Sequence, residues 1–285
     1  MNKVLVVPNP TKDLDLKITR MVVDKLIALG FTPCLESTYN SFNISGAVFC
    51  DSPSCEAEFI IVIGGDGSVI DASRIALELD IPLLGVNLGK VGYLVEVDHD
   101  GLDKLERLTD SRYEIEEKML LSVEKNSLDG TKLHSDRFAV NDVVVSHDDY
   151  FGISDFMVEN QREDHVRFRA DGVIISTPQG STAYSLSAGG PIISHTLDSI
   201  TVTPVCPHSF FNRAIVYGPE ETIKVSNSGE AVLNISIDGR LFTKLVRGEY
   251  CLISKSKKRI KMITFGESNV FSTLSKKIKS IQDLL

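Results

Sequence analysis

The chain has no Cys-x-x-Cys pair and no cysteine–histidine pattern with zinc-site spacing. Its five cysteines, Cys34, Cys50, Cys55, Cys206 and Cys251, are scattered. An odd, dispersed set argues against a structural zinc site and fits a reducing compartment. No run approaches the about 18 apolar residues that a membrane helix requires. The opening MNKVLVVPNP has no apolar core of a secretion signal. The expectation is therefore a cytoplasmic protein that neither enters nor crosses a membrane. Positive charge is also in short supply: 30 Lys and Arg stand against 39 Asp and Glu, a net charge of −9. That weighs against a general binder of nucleic acid or anionic membrane, although one local pocket can differ from the average. There is no G-x-x-x-x-G-K-[ST] phosphate loop and no G-x-G-x-x-G dinucleotide fingerprint. Internal repeats and low-complexity tracts are absent as well. What remains is 285 residues, 42% hydrophobic and 24% charged, as in a soluble enzyme of one large or two ordinary domains.

The chain is organised around Glu58–Arg74, EFIIVIGGDGSVIDASR. Phe59–Ile63 is an unbroken β-branched and aromatic run, the pattern of a strand buried on both faces of a parallel sheet. Gly64, Gly65, Asp66, Gly67 and Ser68 follow. A helix is then expected, with Val69, Ile70, Ala72, Ile75, Ala76 and Leu79 on one side. Glycines let a ligand approach the main chain, and the free amides of a helix start attract anions. The amides of Gly64, Gly65, Gly67 and Ser68 are thus candidates to bind phosphate. Asp66 would repel a bare phosphate, so its presence needs a reason. Two are available: it takes a proton from a hydroxyl, or it helps hold a phosphate-bound metal ion.

Taken in order, Lys3–Val7 reads as a strand and Asp15–Leu29 as a helix through Leu16, Met21, Val22, Leu26 and Ile27, closed by Gly30. Phe31–Leu35 suits a second strand, and Ser37–Ser54 an irregular stretch. Ile81–Val86 is another buried strand, followed by Asn87–Leu94 (NLGKVGYL) and a short helix over Asp98–Thr109. This alternation gives a small parallel α/β layer whose ligands belong at the carboxyl ends of its strands. From Tyr113 strands dominate: Tyr113–Lys125, Phe138–Ser146, Ser154–Glu159, Val173–Thr177, Ile200–Val205, Thr222–Val225, Val232–Ile237 and Tyr250–Ser254. Turns at Asp129-Gly130, Ser228-Gly229 and Asp238-Gly239 separate them. The expected organisation is an α/β domain over residues 1–111 and a mainly β, sandwich-like domain over 112–261. Residues 262–285, with a helical tail through Leu274, Ile278 and Ile281, are expected to return to the first domain.

A second signature is Asp171–Pro191, DGVIISTPQGSTAYSLSAGGP. A buried strand runs into a turn dense in Gly, Ser and Thr. Its hydroxyls and amides suit sugar hydroxyls, phosphates or an adenine edge, and Tyr184 offers a face for stacking. Asn141-Asp142 is a clamp for a ribose diol or a base edge. Because Val143–Val145 continue the strand, the pair is read as lying inside it.

Gly64–Ser68 resembles the broad GGDG kinase group. Together with Asn87–Leu94, Ala139–Asp142, Asp171–Pro191, Thr203–Ser209 (TPVCPHS) and Ser236–Gly239 (SIDG), the chain is similar to the NAD kinase family. The resemblance implies phosphorylation of the adenosine 2′-hydroxyl of NAD, with ATP or polyphosphate as donor. It implies Mg²⁺ carried on the donor phosphates rather than by a protein metal site, and a homodimer or homotetramer. It makes Asp66 the proton acceptor and Gly67 its neighbour at NAD. Asn141 and Asp142 would hold the adenosine. Asp171 would bind NAD, in one arrangement from a neighbouring subunit, with Arg169 just before it. Thr182, Ala183, Tyr184, Ser185, Leu186 and Ser187 would line the adenine and ribose site. Arg240, after SIDG where Gln is frequent, is a further candidate contact to NAD. Ser68 stands where Thr is common, Gln179 where Thr or Ser is usual, and Asp71 where a basic residue is frequent.

Several weaker signals have plainer readings. His208 reads as structural after Pro207. His147, Asp148 and Asp149 read as a solvated turn rather than half a metal site. Lys255, Lys257, Lys258, Arg259 and Lys261 read as a solvated strand end. The rival functions are a GGDG kinase acting on a lipid or sugar, and a non-catalytic NAD(H) sensor.

Overall fold

A computed structural model describes residues 2–51, 56–89, 92–148, 153–162, 164–208, 212–266 and 270–282. Cys55, Lys90, Val91, Asp149, Ser209 and the side chain of Ile281 lie outside the described residues. The chain forms two compact units, Met1–Glu117 with Ile260–Leu285, and Lys118–Arg259.

In the first unit, strands β1 (Lys3–Pro8), β2 (Thr32–Glu36), β3 (Val48–Cys50), β4 (Phe59–Gly64) and β5 (Leu83–Asn87) make a parallel sheet in the order β3-β2-β1-β4-β5. The two-residue β6 (Val97–Asp98) adds to β5. All of β4 is buried, as its apolar run requires. Helix α1 (Lys17–Ala28) buries Thr19, Val22, Val23 and Leu26. Met21 and Ile27, expected inside, are 44% and 41% exposed. The true stripe admits a threonine because the Asp13 carboxylate accepts its hydroxyl at 2.6 Å, which removes the cost of burying it. Gly30, at φ +85°, ends the helix as expected. Helix α2 (Asp66–Leu79) packs Val69, Ala72, Ser73 and Ala76 inward. Over Leu102–Leu108 the chain is a 3₁₀ helix rather than an α-helix. Its apolar residues Leu102, Leu105 and Leu108 recur every three positions, the period at which 3₁₀ side chains align.

The second unit is a sandwich. Its strands are β7 (Glu114–Asn126), β8 (Lys132–Ala139), β9 (Asp142–His147), β10 (Ser154–Glu159), β11 (His165–Ala170), β12 (Gly172–Ser176), β13 (Ile200–Val205), β14 (Ile215–Tyr217), β15 (Thr222–Asn227), β16 (Leu233–Ile237), β17 (Arg240–Leu245) and β18 (Tyr250–Thr264). One layer runs β11-β10-β15-β18, with β7 joining β18 and β8 joining β7. The other runs β14-β13-β12-β9-β16-β17. Val143, Val145, Val173, Ile175 and Val202 from one layer meet Phe156, Val158, Ile223, Val225 and Ile253 from the other in one core. The strands that sequence patterning passed over, β11, β14 and β17, end these layers. Edge strands carry more polar residues and lose the clean alternation. The only α-helical turn described in this unit is α3, Tyr184–Ser187.

One expectation is corrected here. Phe138–Ser146 is not one strand: β8 ends at Ala139, β9 begins at Asp142, and the two lie in different layers. Asn141 therefore does punctuate the chain, at the point where it changes sheets. From Ile260 onward β18 belongs to the first unit, where Met262 pairs parallel with Leu83. Helix α4 (Val270–Gln282) follows and buries Val270 and Thr273, while Ile278, expected inside, is 48% exposed. No helix among the described residues is long and apolar enough to cross a membrane.

Candidate active site

In the first unit the site is built at the carboxyl end of β4. Gly64 is buried in the strand, and a Cβ there would sit 2.2 Å from Ser68 Oγ. That glycine lets α2 start directly on the strand. Asp66 is the first residue of α2, with Gly65 as N-cap, so the first amides of the helix flank it. Its carboxylate accepts the backbone N–H of Tyr93 at 3.0 Å and of Leu94 at 2.9 Å. Two fixed N–H donors set its orientation, and a carboxylate keeps further lone pairs for another proton. A side chain at Gly92 would meet Asp66 Oδ1 at 2.3 Å. The segment Gly92–Leu94 is thus a main-chain cradle for this one carboxylate. Burial, and then the Asp66 charge, push the Tyr93 phenol above its ordinary value.

Two further residues converge here that sequence reading did not single out. The Asn9 side-chain amide donates to Ser68 Oγ at 2.8 Å. Lys12 Nζ lies 3.8 Å from the place of a Cβ on Gly65. Asn9 also organises its own turn, accepting the N–H groups of Lys12 and Asp13 on its backbone carbonyl. The local signal was the Asn-Pro after β1, which reads only as a strand end until β1 is known to lie beside β4.

In the second unit three segments are tied into one knot. The Asp238 carboxylate accepts the N–H groups of Val140, Asn141 and Asp142 at 2.9, 2.8 and 3.1 Å. Thr177 donates its hydroxyl to the Val140 carbonyl at 2.7 Å and its N–H to the Asn141 carbonyl at 2.9 Å. Gly180 passes so close that a Cβ would come within 2.0 Å of the Asn141 carbonyl oxygen. Asp238 and Gly239, both with positive φ, form the two-residue turn between β16 and β17. Asp142, Ser176 and Thr201 stand side by side across β9, β12 and β13, and all three are buried. Burial, then the neighbouring Asp238 charge, raise Asp142 to about 7. Burial, and then the charges of Cys206, Asp171 and Asp142, raise the Tyr184 phenol above its ordinary value.

The other expected residues separate into three groups. Tyr184 and Leu186 are exposed, at 46% and 36%, and so available to a ligand, as is the exposed Ser187. Thr182 and Ala183 are half-buried. Ser185 is fully buried, and its hydroxyl pairs with Thr203 Oγ1 at 3.0 Å. That pair ties the loop to β13. Arg169 is exposed at the end of β11, and its carbonyl accepts the His208 N–H at 2.7 Å. Arg240 opens β17 directly after the Asp238-Gly239 turn. Gln179 is 3% exposed, and its buried Oε1 has no hydrogen-bond partner among the described residues.

The plainer readings fare unevenly. Asp148 is bound to Lys244 and Asn234, and no cluster of metal-ligating side chains occurs among the described residues. The basic run is not merely solvated: Lys255 pairs with Glu220 and Asp198, Arg259 grips Asp198 through two nitrogens, and Lys261 pairs with Asp80.

Residues 4–113 match the family described as ATP-NAD kinase N-terminal domain, and residues 140–265 the ATP-NAD kinase C-terminal domain. The chain belongs to the NAD kinase family. A NAD kinase from Caldanaerobacter subterraneus subsp. tengcongensis is 35% identical over 288 residues, covering 98% of this chain and 99% of that one. The NAD kinase of Lachnoclostridium phytofermentans is 34% identical, covering 97% and 99%. Among solved structures, a NAD kinase from Archaeoglobus fulgidus in complex with ATP matches with a TM-score of 0.73 at 25% identity, over 98% of this chain and 99% of that one. Yeast NADH kinase complexed with NADH shares the fold, with a TM-score of 0.86 at 19% identity over 98% and 88%. Membership separates this chain from the lipid and sugar kinases that also carry a GGDG turn.

Proposed function

We propose that this NAD kinase transfers a phosphoryl group from ATP, or from polyphosphate, to the adenosine 2′-hydroxyl of NAD, with Asp66 as general base. The observation that carries the reading is the Asp66 carboxylate, oriented by two main-chain N–H donors at the mouth of a helix start. An alcohol becomes a competent nucleophile when its proton is taken as the bond to phosphorus forms. A carboxylate fixed in this way accepts that proton without first having to reorient. Gly65 and Gly67 flank it with backbone amides suited to transferring oxygens, the Ser68 N–H being taken by the Gly65 carbonyl at 2.9 Å, and the Lys12 ammonium adds a positive charge at the same turn. In the other unit Asn141, Asp142 and Asp171 offer acceptors and donors for ribose and base edges, and Tyr184 offers a ring face.

Phosphoryl transfer beyond this is positioning and charge neutralisation. Mg²⁺ typically binds through one or two carboxylates and the substrate phosphates rather than in an all-protein cage. The site offers one oriented carboxylate beside a phosphate-suited turn and no such cage among the described residues, so Mg²⁺ would be held chiefly by the donor phosphates. The ion would neutralise charge on the donor. We assign the activity to the cytoplasm and to a homodimer or homotetramer, which light scattering of the purified protein would check.

The test is an assay of purified protein with Mg²⁺, ATP and NAD, reading NADP through an NADP-specific dehydrogenase. NADP formation that is lost in Asp66→Asn supports the reaction and the base. If ATP and polyphosphate both fail with NAD and NADH while NAD still binds, the protein is a sensor and the proposal is wrong.

A further inference from the structure

We infer that Lys277 on the C-terminal helix is a positioning residue for the transfer: through the ring of Tyr93 it fixes the Gly92–Leu94 backbone that holds the Asp66 carboxylate. The inference rests on the reading of Asp66 as the base.

Three observations carry it. The Lys277 ammonium lies over the Tyr93 ring, 3.9 Å from its centroid, well inside cation–π range. Tyr93 is the residue whose N–H binds Asp66 Oδ2 at 3.0 Å, and its neighbour Leu94 binds Oδ1 at 2.9 Å. The ring that the ammonium grips is therefore attached to the backbone that orients the carboxylate. The second observation is the helix itself. Val270 and Thr273 are buried, and one turn on, position 277 continues that stripe at helical spacing. An apolar residue is expected there. Instead Lys277 is half-buried in the stripe, while Ile278 faces outward at 48% exposure. Even half-buried, a lysine in an apolar stripe costs packing and desolvation, which points to a use for the charge. Third, burial pulls Lys277 below the ordinary lysine value while the Asp66 charge opposes that pull, so the ammonium and the carboxylate act on each other.

The plainer role is a staple that only holds α4 in place. The two differ in what they change. A staple alters melting, whereas a positioning residue alters the turnover of a folded enzyme. The experiment compares kcat, KM for NAD and melting temperature in the full chain for Lys277→Met, Lys277→Arg, Tyr93→Leu, the Lys277→Met/Tyr93→Leu double variant and Asp66→Asn. Methionine keeps the length of the stem, and arginine keeps the charge over the ring. The expected result is a kcat loss of about three- to tenfold in Lys277→Met with KM for NAD unchanged. Lys277→Arg should recover most of it, and the double variant should be no worse than the poorer single one. An unchanged kcat in Lys277→Met beside an inactive Asp66→Asn would overturn the inference and leave the base in place. A kcat loss that follows melting temperature and is not recovered by arginine would also overturn it. An active Asp66→Asn would remove the base reading, and this inference with it.

Discussion

In the N-terminal unit Asp66 sits half-buried at the start of a helix, its carboxylate accepting two backbone N–H groups, one on each oxygen. In the β unit Asp238 takes three backbone N–H groups, and Asp142 beside it is 5% exposed and raised to about 7. The same side chain thus serves opposite ends. Asp238 is a structural acceptor that lets the chain cross from one sheet to the other at Asn141. Asp66 is held by the amides of Tyr93 and Leu94, as the proposed base role requires. The difference shows why a carboxylate in a glycine turn is read from its donors rather than from its motif. A carboxylate that organises backbone is used up by folding, whereas one that the backbone organises remains free to react.

The comparison breaks most visibly at Asp66. Asp66→Asn preserves shape and removes the basic oxygen, so kcat should fall by about 10²–10⁴ while calorimetric NAD affinity stays within a few-fold.

Asp142 should respond in the other direction and on stability. Its folded-state value of about 7 lies above the ordinary carboxylate value of 3.8, so the native state favours the protonated form. The stability this contributes is full below 3.8 and is lost as pH rises through about 7. Asp142→Asn, which never ionises, should therefore melt higher than the parent at pH 8, by on the order of 1–4 kcal/mol. The two should converge as pH falls toward 4. NAD binding should weaken in the same variant, since the site loses its ionisable acceptor.

The glycines sharpen the contrast further. Gly180→Ala drives a Cβ against the Asn141 carbonyl oxygen. It should cost about 1–3 kcal/mol in denaturant unfolding and loosen the Asn141–Asp142 clamp. At Gly67 a Cβ meets nothing within 4 Å. Gly67→Ala should be neutral or stabilise α2 by at most about 1 kcal/mol, with any loss confined to turnover. Equal destabilisation by the two alanines would contradict the account of both turns.

Much of this was legible in the chain. Phe59–Ile63 announced a strand buried on both faces, and the pattern behind GGDG announced the helix α2. The Asp171–Pro191 block, with the remaining motifs, pointed to the family. What was not legible depends on distance along the chain. Nothing near Asn141 says that Asp238, nearly a hundred residues away, ties down its amide. Nothing near Ser185 says that its hydroxyl will meet that of Thr203, eighteen residues on. Met21 and Ile27 look like core because periodicity does not show that Asp13 will satisfy Thr19 and admit it instead. Lys277 reads as one more charge in a basic tail until Tyr93 is found beneath it.

The most direct measurement is the single-turnover rate of NADP formation at saturating Mg²⁺-ATP, set beside NAD affinity measured on the same preparations of parent and Asp66→Asn. The account predicts matching affinities and a rate reduced by about two orders of magnitude or more. Matching rates, or a loss explained wholly by weakened NAD binding, would contradict it.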